Sequence, residues 1–347
     1  MFNVMSLLVE EIGPFSRLDG ERHDYQTVLR TSGEDPLFLN LDWLSAWWKA
    51  FGETWKPLVL RVTEGGRPVG YAPLAMNERG RHWVKIGFMG AGPSDRCGII
   101  AQDARADVHD AIWEHLRGRD DWDVLELRDM RRDGPTEEGV RRAFPNCEEA
   151  REMAPFIRLG GSYEEYLASL SGNMRATVVK GWRRLKEHGA EFKSMRSAKG
   201  VEEAVHWLKE LSDHRWRSSS CLRSPGMTQF VEEAAKRLVG QGVVFHAILV
   251  DGTPQAIAMG LEDRDRYLYY LSGFGPDYAH CSPGAVLISR IIEESYGRGC
   301  KEVDLLRGAE TYKYRFKAVD RMQVHLRTVN KGLVRRTQYS LREAPLV

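Results

Sequence analysis

The chain has 347 residues, 42% of them hydrophobic and 29% charged, which is the balance of a soluble globular protein with room for two domains of roughly 100 to 200 residues each. Fifty basic against forty-nine acidic residues leave a formal charge of +1, so no overall field selects nucleic acid or a membrane. The five cysteines (Cys97, Cys147, Cys221, Cys281, Cys300) are widely spaced and form no C-x-x-C or Cys/His cluster, which argues against a disulfide framework or a zinc site and fits a reducing cytoplasm.

The opening run MFNVMSLLVEE has no basic segment before its short apolar stretch, so a secretory signal is not expected. No stretch approaches the roughly 18 apolar residues that span a bilayer, so membrane insertion is not expected either. In DPLFLNLDWLSAWWKAFG, Trp43, Trp47 and Trp48 stand at helical spacing and read as packing rather than a binding platform. Next come β-rich residues 57–92 and the turn GPSDR, where Asp95 either caps the turn or touches a substrate. A helix in HDAIWEHLRG and a strand in WDVLELRDM complete the first half, and the domain boundary is expected between residues 152 and 153, with the second domain running to 347.

The second half opens with a strand and a helix started by the capping box Ser162/Glu165. Helices are predicted near 173–188, 200–217 and 227–240. Residues 175–199 hold eight basic residues, Arg175, Lys180, Arg183, Arg184, Lys186, Lys193, Arg196 and Lys199, which read as a solvated face or as a surface for an anionic partner. VVFHAILV, QAIAMGLED and RYLYYLSGF read as three antiparallel strands, the first two joined by an Asp251-Gly252 turn. A helix follows, with Ser282 as N-cap, Pro283 at its first position and glycines 297 and 299 as its stop. The strand EVDLL, a short helix near 310–318 and two further strands, MQVHLRTVN and LVRRTQYS, end the chain.

The halves share an order of elements. Gly66, Pro68 and Ala72 fall opposite Gly252, Pro254 and Ala258, an offset of 186 residues, so the chain reads as two copies of one α/β unit.

Two places carry chemistry. The turn GFGPDYAHCSPGA opens a helix whose first N–H groups, on Gly284 and Ala285, can face an anion. The matching place in the first copy has Asp107 and Asp110 instead, so a phosphorylated ligand belongs to the second copy. Cys281 has no His/Asp arrangement beside it and is not read as a nucleophile. The other place is EVDLLRGAETYKYRF, where Asp304, Arg307, Glu310, Tyr312 and Lys313 crowd the end of a buried strand. Asp304 reads there either as a proton acceptor or as a partner of Arg307.

The order of elements, the turn into the helix, VDLLRG followed by ETYKYRF, and the stretches GYAPLAM, GAGPSD and LSGNMRATVVKGWRRLKEHG resemble the GNAT acyltransferase superfamily, more narrowly its tandem CelD-like branch, which is related to the Fem-type proteins. The resemblance implies an α/β fold of two tandem GNAT-like units, each a mixed, mainly antiparallel sheet flanked by helices, the first unit degenerate. It also implies acyl transfer from acetyl-CoA or another acyl-CoA, without a metal, to an amine of a small molecule or sugar-linked precursor. The donor's pantetheine arm would run along Tyr270, Leu271 and Ser272, and its pyrophosphate would sit over His280, Ser282, Gly284 and Ala285. Tyr312 would protonate the leaving thiolate, Asp304 or Glu310 would take the amine proton, and Arg307, Lys313 and Asp95 would hold the acceptor. The common GNAT pattern Q/R-x-x-G-x-G/A is reduced here to the last two residues of HCSPGA, and Fem-type relatives take aminoacyl-tRNA, which stands as the alternative donor.

Overall fold

Each half of the chain builds its sheet outward from one long hairpin. The computed structural model describes residues 6–79, 83–216, 221–263 and 265–330, and the predicted strand LVRRTQYS lies outside them. The chain divides into two units, Met1–Glu152 with Met322–Val347, and Met153–Arg321.

The first unit runs β1 (Leu7–Ile12), α1 (Ser16–Gly20), α2 (Arg22–Thr31), α3 (Leu41–Phe51), β2 (Lys56–Glu64), β3 (Arg67–Arg79), β4 (Trp83–Phe88), β5 (Ile100–Ala101), α4 (Ala106–Gly118), β6 (Val124–Arg131), α5 (Pro135–Ala143) and β7 (Glu148–Met153). The second runs β8 (Phe156–Arg158), α6 (Tyr163–Ser169), α7 (Gly172–Glu187), β9 (Glu191–Met195), α8 (Ala198–Trp216), α9 (Pro225–Arg237), β10 (Val243–Val250), β11 (Thr253–Glu262), β12 (Arg266–Phe274), α10 (Pro283–Gly297), β13 (Glu302–Asp304) and α11 (Thr311–Arg315). The chain then returns to the first unit as β14 (Met322–Val329).

The hairpins β2–β3 and β10–β11 turn through Gly65-Gly66 and Asp251-Gly252, all four at positive φ, as a two-residue hairpin loop requires. Both hairpins then slip by one residue, between Val62 and Thr63 in the first and between Ile248 and Leu249 in the second. These bulges are again 186 residues apart, and each adjoins a proline, Pro68 or Pro254, that cannot donate to the ladder.

In the first sheet the order is β1-β2-β3-β4-β6-β14-β7, with β5 beside β3. Its apolar face packs on α4 and α5 around Trp113, Trp122, Leu125, Leu127, Val324 and Leu326. Trp43 and Trp47 are buried, and Trp48 stacks on Phe15 at 5.4 Å, so this trio packs the unit's interior. In the second sheet the order is β8-β13-β12-β11-β10-β9. One face is covered by α6, α7 and α10, whose Val286, Leu287, Ile288, Ile291 and Ile292 enter the core. The other is covered by α8, which comes so close that a Cβ on Gly273 would stand 2.4 Å from the Ser212 nitrogen. The capping box at Ser162 and Glu165 is formed. Strand β9, EFKSM, carries only a weak apolar alternation and was not among the predicted strands.

The second unit ends at Arg321 rather than running to 347. The outer edge of β13 is already taken by β8, which pairs Phe156 with Asp304, so the last strand cannot dock there. It lies instead between β6 and β7, with Val324 and Leu326 in the first unit's core.

A chain truncated after Arg321 should therefore lose hydrogen-exchange protection in β6 and β7 while keeping it in β10–β12. Unchanged protection of β6 would contradict the central place of β14.

Candidate functional site

The last pair of the parallel ladder between β12 and β13 is Leu268 with Asp304, yet β12 runs on to Phe274. On its other side β12 carries an extra residue, Tyr270, where its pairing with β11 passes from Gly260–Tyr269 to Met259–Leu271. A bulge of this kind bends its strand away from a neighbour. In the first unit the matching strands β3 and β4 pair without interruption from Leu74–Phe88 to Arg79–Trp83.

Below the part of β12 that follows its ladder with β13, the turn and α10 close a cavity of about 320 Å³. Tyr269 and Phe274 wall it from β12, Ser282, Gly284, Ala285 and Ile288 from α10, Met174 from α7, and Tyr312, Arg315 and Phe316 from α11 and its end. With Ala279 and Pro283 the lining has twelve residues, and four of them, Ser282, Gly284, Ala285 and Tyr312, were expected from sequence. The apolar walls were not, because Met174, Ile288 and Phe316 look like any core residue until the fold assembles them.

The turn differs from the expected cap. Ser282 adopts a left-handed conformation (φ 53°) and its hydroxyl caps nothing. Its carbonyl accepts from both Ala285 and Val286, so the Ala285 N–H is spent within the helix. The Gly284 N–H has no partner among the described residues and remains for an anion. A Cβ on Gly284 would stand 3.0 Å from the Phe274 ring, so a larger residue there would have to displace that ring. Helix α7 presses on the turn at Gly181, whose Cβ would fall 2.3 Å from the Cys281 carbonyl oxygen. Cys281 is buried and desolvation raises its thiol pKa, with Arg184 pulling the other way, so the thiol is packing rather than a nucleophile.

The charges at the strand end are mostly engaged with the protein itself. Asp304 is fully buried; Oδ1 accepts from the Leu306 N–H at 2.8 Å and Oδ2 from Arg321 at 2.7 Å. Arg321 also holds Glu302 and lies over the Phe156 ring at 4.1 Å. A carboxylate held on both oxygens and cut off from solvent is not placed to take an amine proton, which corrects the expectation for Asp304. Lys313 is 2% exposed and donates to the carbonyls of Leu306, Arg307 and Gly308 at 3.0, 2.7 and 2.9 Å, so it does not reach out to an acceptor. Glu310 is exposed and paired with Lys313 at 2.9 Å, and Arg307 is half-buried.

Tyr270, Leu271 and Ser272 are half-buried on β12 past the end of its parallel ladder, while His280 is exposed beside Tyr278 and does not line the cavity. Asp95 belongs to the first unit, where it is buried and its carbonyl accepts from Gln323. There the ground beyond the short β4–β6 ladder is taken by the chain. Residues Ser94, Asp95, Arg96 and Cys97 are buried, the Cys97 N–H bonds to the Asp129 carbonyl at 2.8 Å, and Trp43 holds the Ser94 hydroxyl at 2.8 Å.

Among the described residues, two groups of side chains have metal-like composition, and protein atoms already serve both. Glu262 and Glu294, near His246, are bridged by Arg196. Against the effect of burial, the hydrogen bonds from His246, Ser194 and Arg196 hold the Glu294 carboxyl far below the usual range. In the group of Asp129, Glu152 and His325, Nδ1 of the histidine accepts the Asp129 N–H, which places its proton on Nε2, facing Glu152.

Residues 172–314 match the family model described as an acetyltransferase (GNAT) domain. That stretch holds α7, β12, α10 and Tyr312. Among solved structures, FemX aligns with a TM-score of 0.66 at 10% identity, over 97% of this chain and 100% of its own. A tandem GNAT protein from the clavulanic acid biosynthesis pathway aligns with a TM-score of 0.55 at 11% identity, over 94% and 99%. L-PGS from Bacillus licheniformis gives 0.56 at 12%, over 96% and 98%. The fold is thus a mixed α/β arrangement of tandem GNAT-like units. No curated protein matches the sequence. Among the described residues, no helix is long and apolar enough to cross a membrane.

Replacing Asp304 with Asn should cost about 3 kcal/mol of stability, the scale for breaking a buried ion pair, whereas Glu310→Gln should leave the melting temperature unchanged. Equal melting temperatures for Asp304→Asn and wild type would restore a chemical role for Asp304.

Glu34 in the first unit gives a pH test. Burial is the leading cause that raises its pKa to about 7, opposed by the hydrogen bond from Thr136, while its unperturbed value is 4.5. The folded state therefore binds the proton more tightly, and that contribution, full below about pH 4.5, is lost as pH rises through 7. Calorimetry of wild type and Glu34→Gln should show the wild type losing ground between pH 5 and 8, and a pH-independent gap would contradict the assignment.

Proposed function

We propose that the second unit is an acyl-CoA-dependent N-acyltransferase of the CelD-like branch, using acetyl-CoA or another acyl-CoA as donor and no metal. The acceptor is an amine on a small molecule or sugar-linked precursor, attacking directly in a ternary complex. The observation that carries this reading is the early end of the β12–β13 ladder over a cavity reaching from α10 to Tyr312. An extended, largely apolar thioester arm fits such a slot, and its phosphates suit the Gly284 N–H, the Ser282 hydroxyl and the Arg315 and Arg184 cations nearby.

Aminolysis of the thioester then distributes among the chain's groups. The amine nitrogen forms its bond to the carbonyl carbon, and backbone N–H groups around Leu271 meet the oxyanion. The C–S bond breaks and the Tyr312 hydroxyl passes its proton to the departing sulfur. Glu310, exposed beside α11, receives the amine proton through water, and Arg307 steadies an acidic group of the acceptor. Five free cysteines suit a cytoplasmic enzyme.

A second reading is favoured by α7, which exposes Arg175, Lys180, Arg183, Arg184 and Lys186 next to the turn at Cys281. That surface suits a donor carried on tRNA.

Acetyl-CoA at 100 times its Kd should stabilise the protein by about 2.7 kcal/mol, and free thiol should appear when a panel of amines is added. Ala285→Phe, which projects into the cavity, should weaken acetyl-CoA at least tenfold without moving the unliganded melting temperature. Stabilisation by charged tRNA alone would replace the coenzyme reading with the second one, and binding without thiol release from any amine would make the unit a binding protein.

A further inference from the structure

The three carbonyls that Lys313 holds belong to consecutive residues in a loop with two left-handed turns, Leu306 at φ 59° and Gly308 at φ 99°. Glycine adopts such a turn freely, whereas a leucine does so only where its surroundings hold it. Leu306 is held on both sides of its Cα: its N–H donates to Asp304 and its C=O accepts from the Lys313 ammonium. Gly308 is tied by its N–H to the Met153 carbonyl. An ammonium has three protons, and here the three carbonyls share them with the Glu310 carboxylate at 2.9 Å.

Helix α11 has only five residues, and the residue at its N-cap, Glu310, makes no side-chain cap. A helix this short does not hold itself. Its direction is set by Phe316, packed in the core, and by Lys313, which faces inward one position after Tyr312. Tyr312 lines the cavity from that same turn.

We infer that Lys313 is a positioning residue: its ammonium ties α11 to the loop 306–308 and so fixes Tyr312 against the cavity wall. The catalytic consequence rests on the reading of Tyr312 as the proton donor to the leaving thiolate; the geometric consequence does not.

The test places 3-fluorotyrosine at position 312 and records 19F spectra and steady-state kinetics for wild type, Lys313→Met and Lys313→Arg. Wild type should give one narrow resonance. Lys313→Met, which keeps the chain length and removes all donors, should broaden or split that resonance and lower kcat about 100-fold, with KM for the donor within about threefold. Lys313→Arg, which still offers N–H groups to the carbonyls, should restore a single resonance and part of kcat. If Lys313→Met does not fold, a shifted resonance and reduced kcat in Lys313→Arg support the assignment, and a spectrum and kcat identical to wild type overturn it. A narrow, unshifted resonance in Lys313→Met overturns it as well. A loss confined to KM would make Lys313 a binding residue instead. Should wild type transfer no acyl group at all, the proposed activity fails, and the 19F spectra still decide the role of Lys313.

Discussion

The parallel ladder between β12 and β13 stops where it does because the chain leaves β13 through a left-handed Leu306. That conformation is unfavourable for leucine and is sustained by buried charge: Asp304 on the N–H side, Lys313 on the C=O side, and Arg321 neutralising Asp304 from the next turn. Buried ions contribute little net stability when paired, but they define one geometry and penalise every alternative that leaves them unpaired. Here the geometry they define is a gap. Had the chain run straight on from Asp304, its backbone would have continued pairing along β12 past Leu268 and closed the space that the cavity occupies.

The two units show how little separates a sheet with a slot from one without. Both begin with the same bulged hairpin, 186 residues apart, and both set a parallel strand beside the fourth strand of the series. The second unit adds a residue at Tyr270 and leaves the far end of β12 over a cavity. The first has no such bulge, and the segment through Ser94 and Cys97 lies buried across the corresponding ground. In the second unit the core and the cavity share their apolar residues: Met174, Tyr269, Ile288 and Phe316 belong to both, so the same side chains that hold the sheet also shape the gap.

Much of the fold was legible because its signals are local. The second hairpin turn announces itself as Asp251-Gly252, the capping box at Ser162 is read from two residues, and the apolar spacing of α10 is unambiguous. The candidate site was legible where it depended on a turn: Ser282, Gly284 and Ala285 lie at a helix start that composition marks. It was misread where it depended on partners. Asp304 and Lys313 carry charges that look functional in sequence, and each is consumed by groups that are 2 to 17 residues away along the chain. Strand β14 was assigned to the wrong unit for the same reason: its alternation says strand, and only the occupied edge of β13 says which sheet.

The sequence by itself determined the types of most of the second unit's elements, β9 excepted, together with the repeat and the place of the turn into α10, since each follows from spacing and backbone preference over a few residues. The tertiary structure decided which charges line the cavity, as Arg315 does, and which face the backbone, as Lys313 does. It also decided where β12 parts from β13 and which sheet receives the last strand. Those outcomes turn on desolvation and on competition for hydrogen-bond partners, and both are fixed only when distant segments come together.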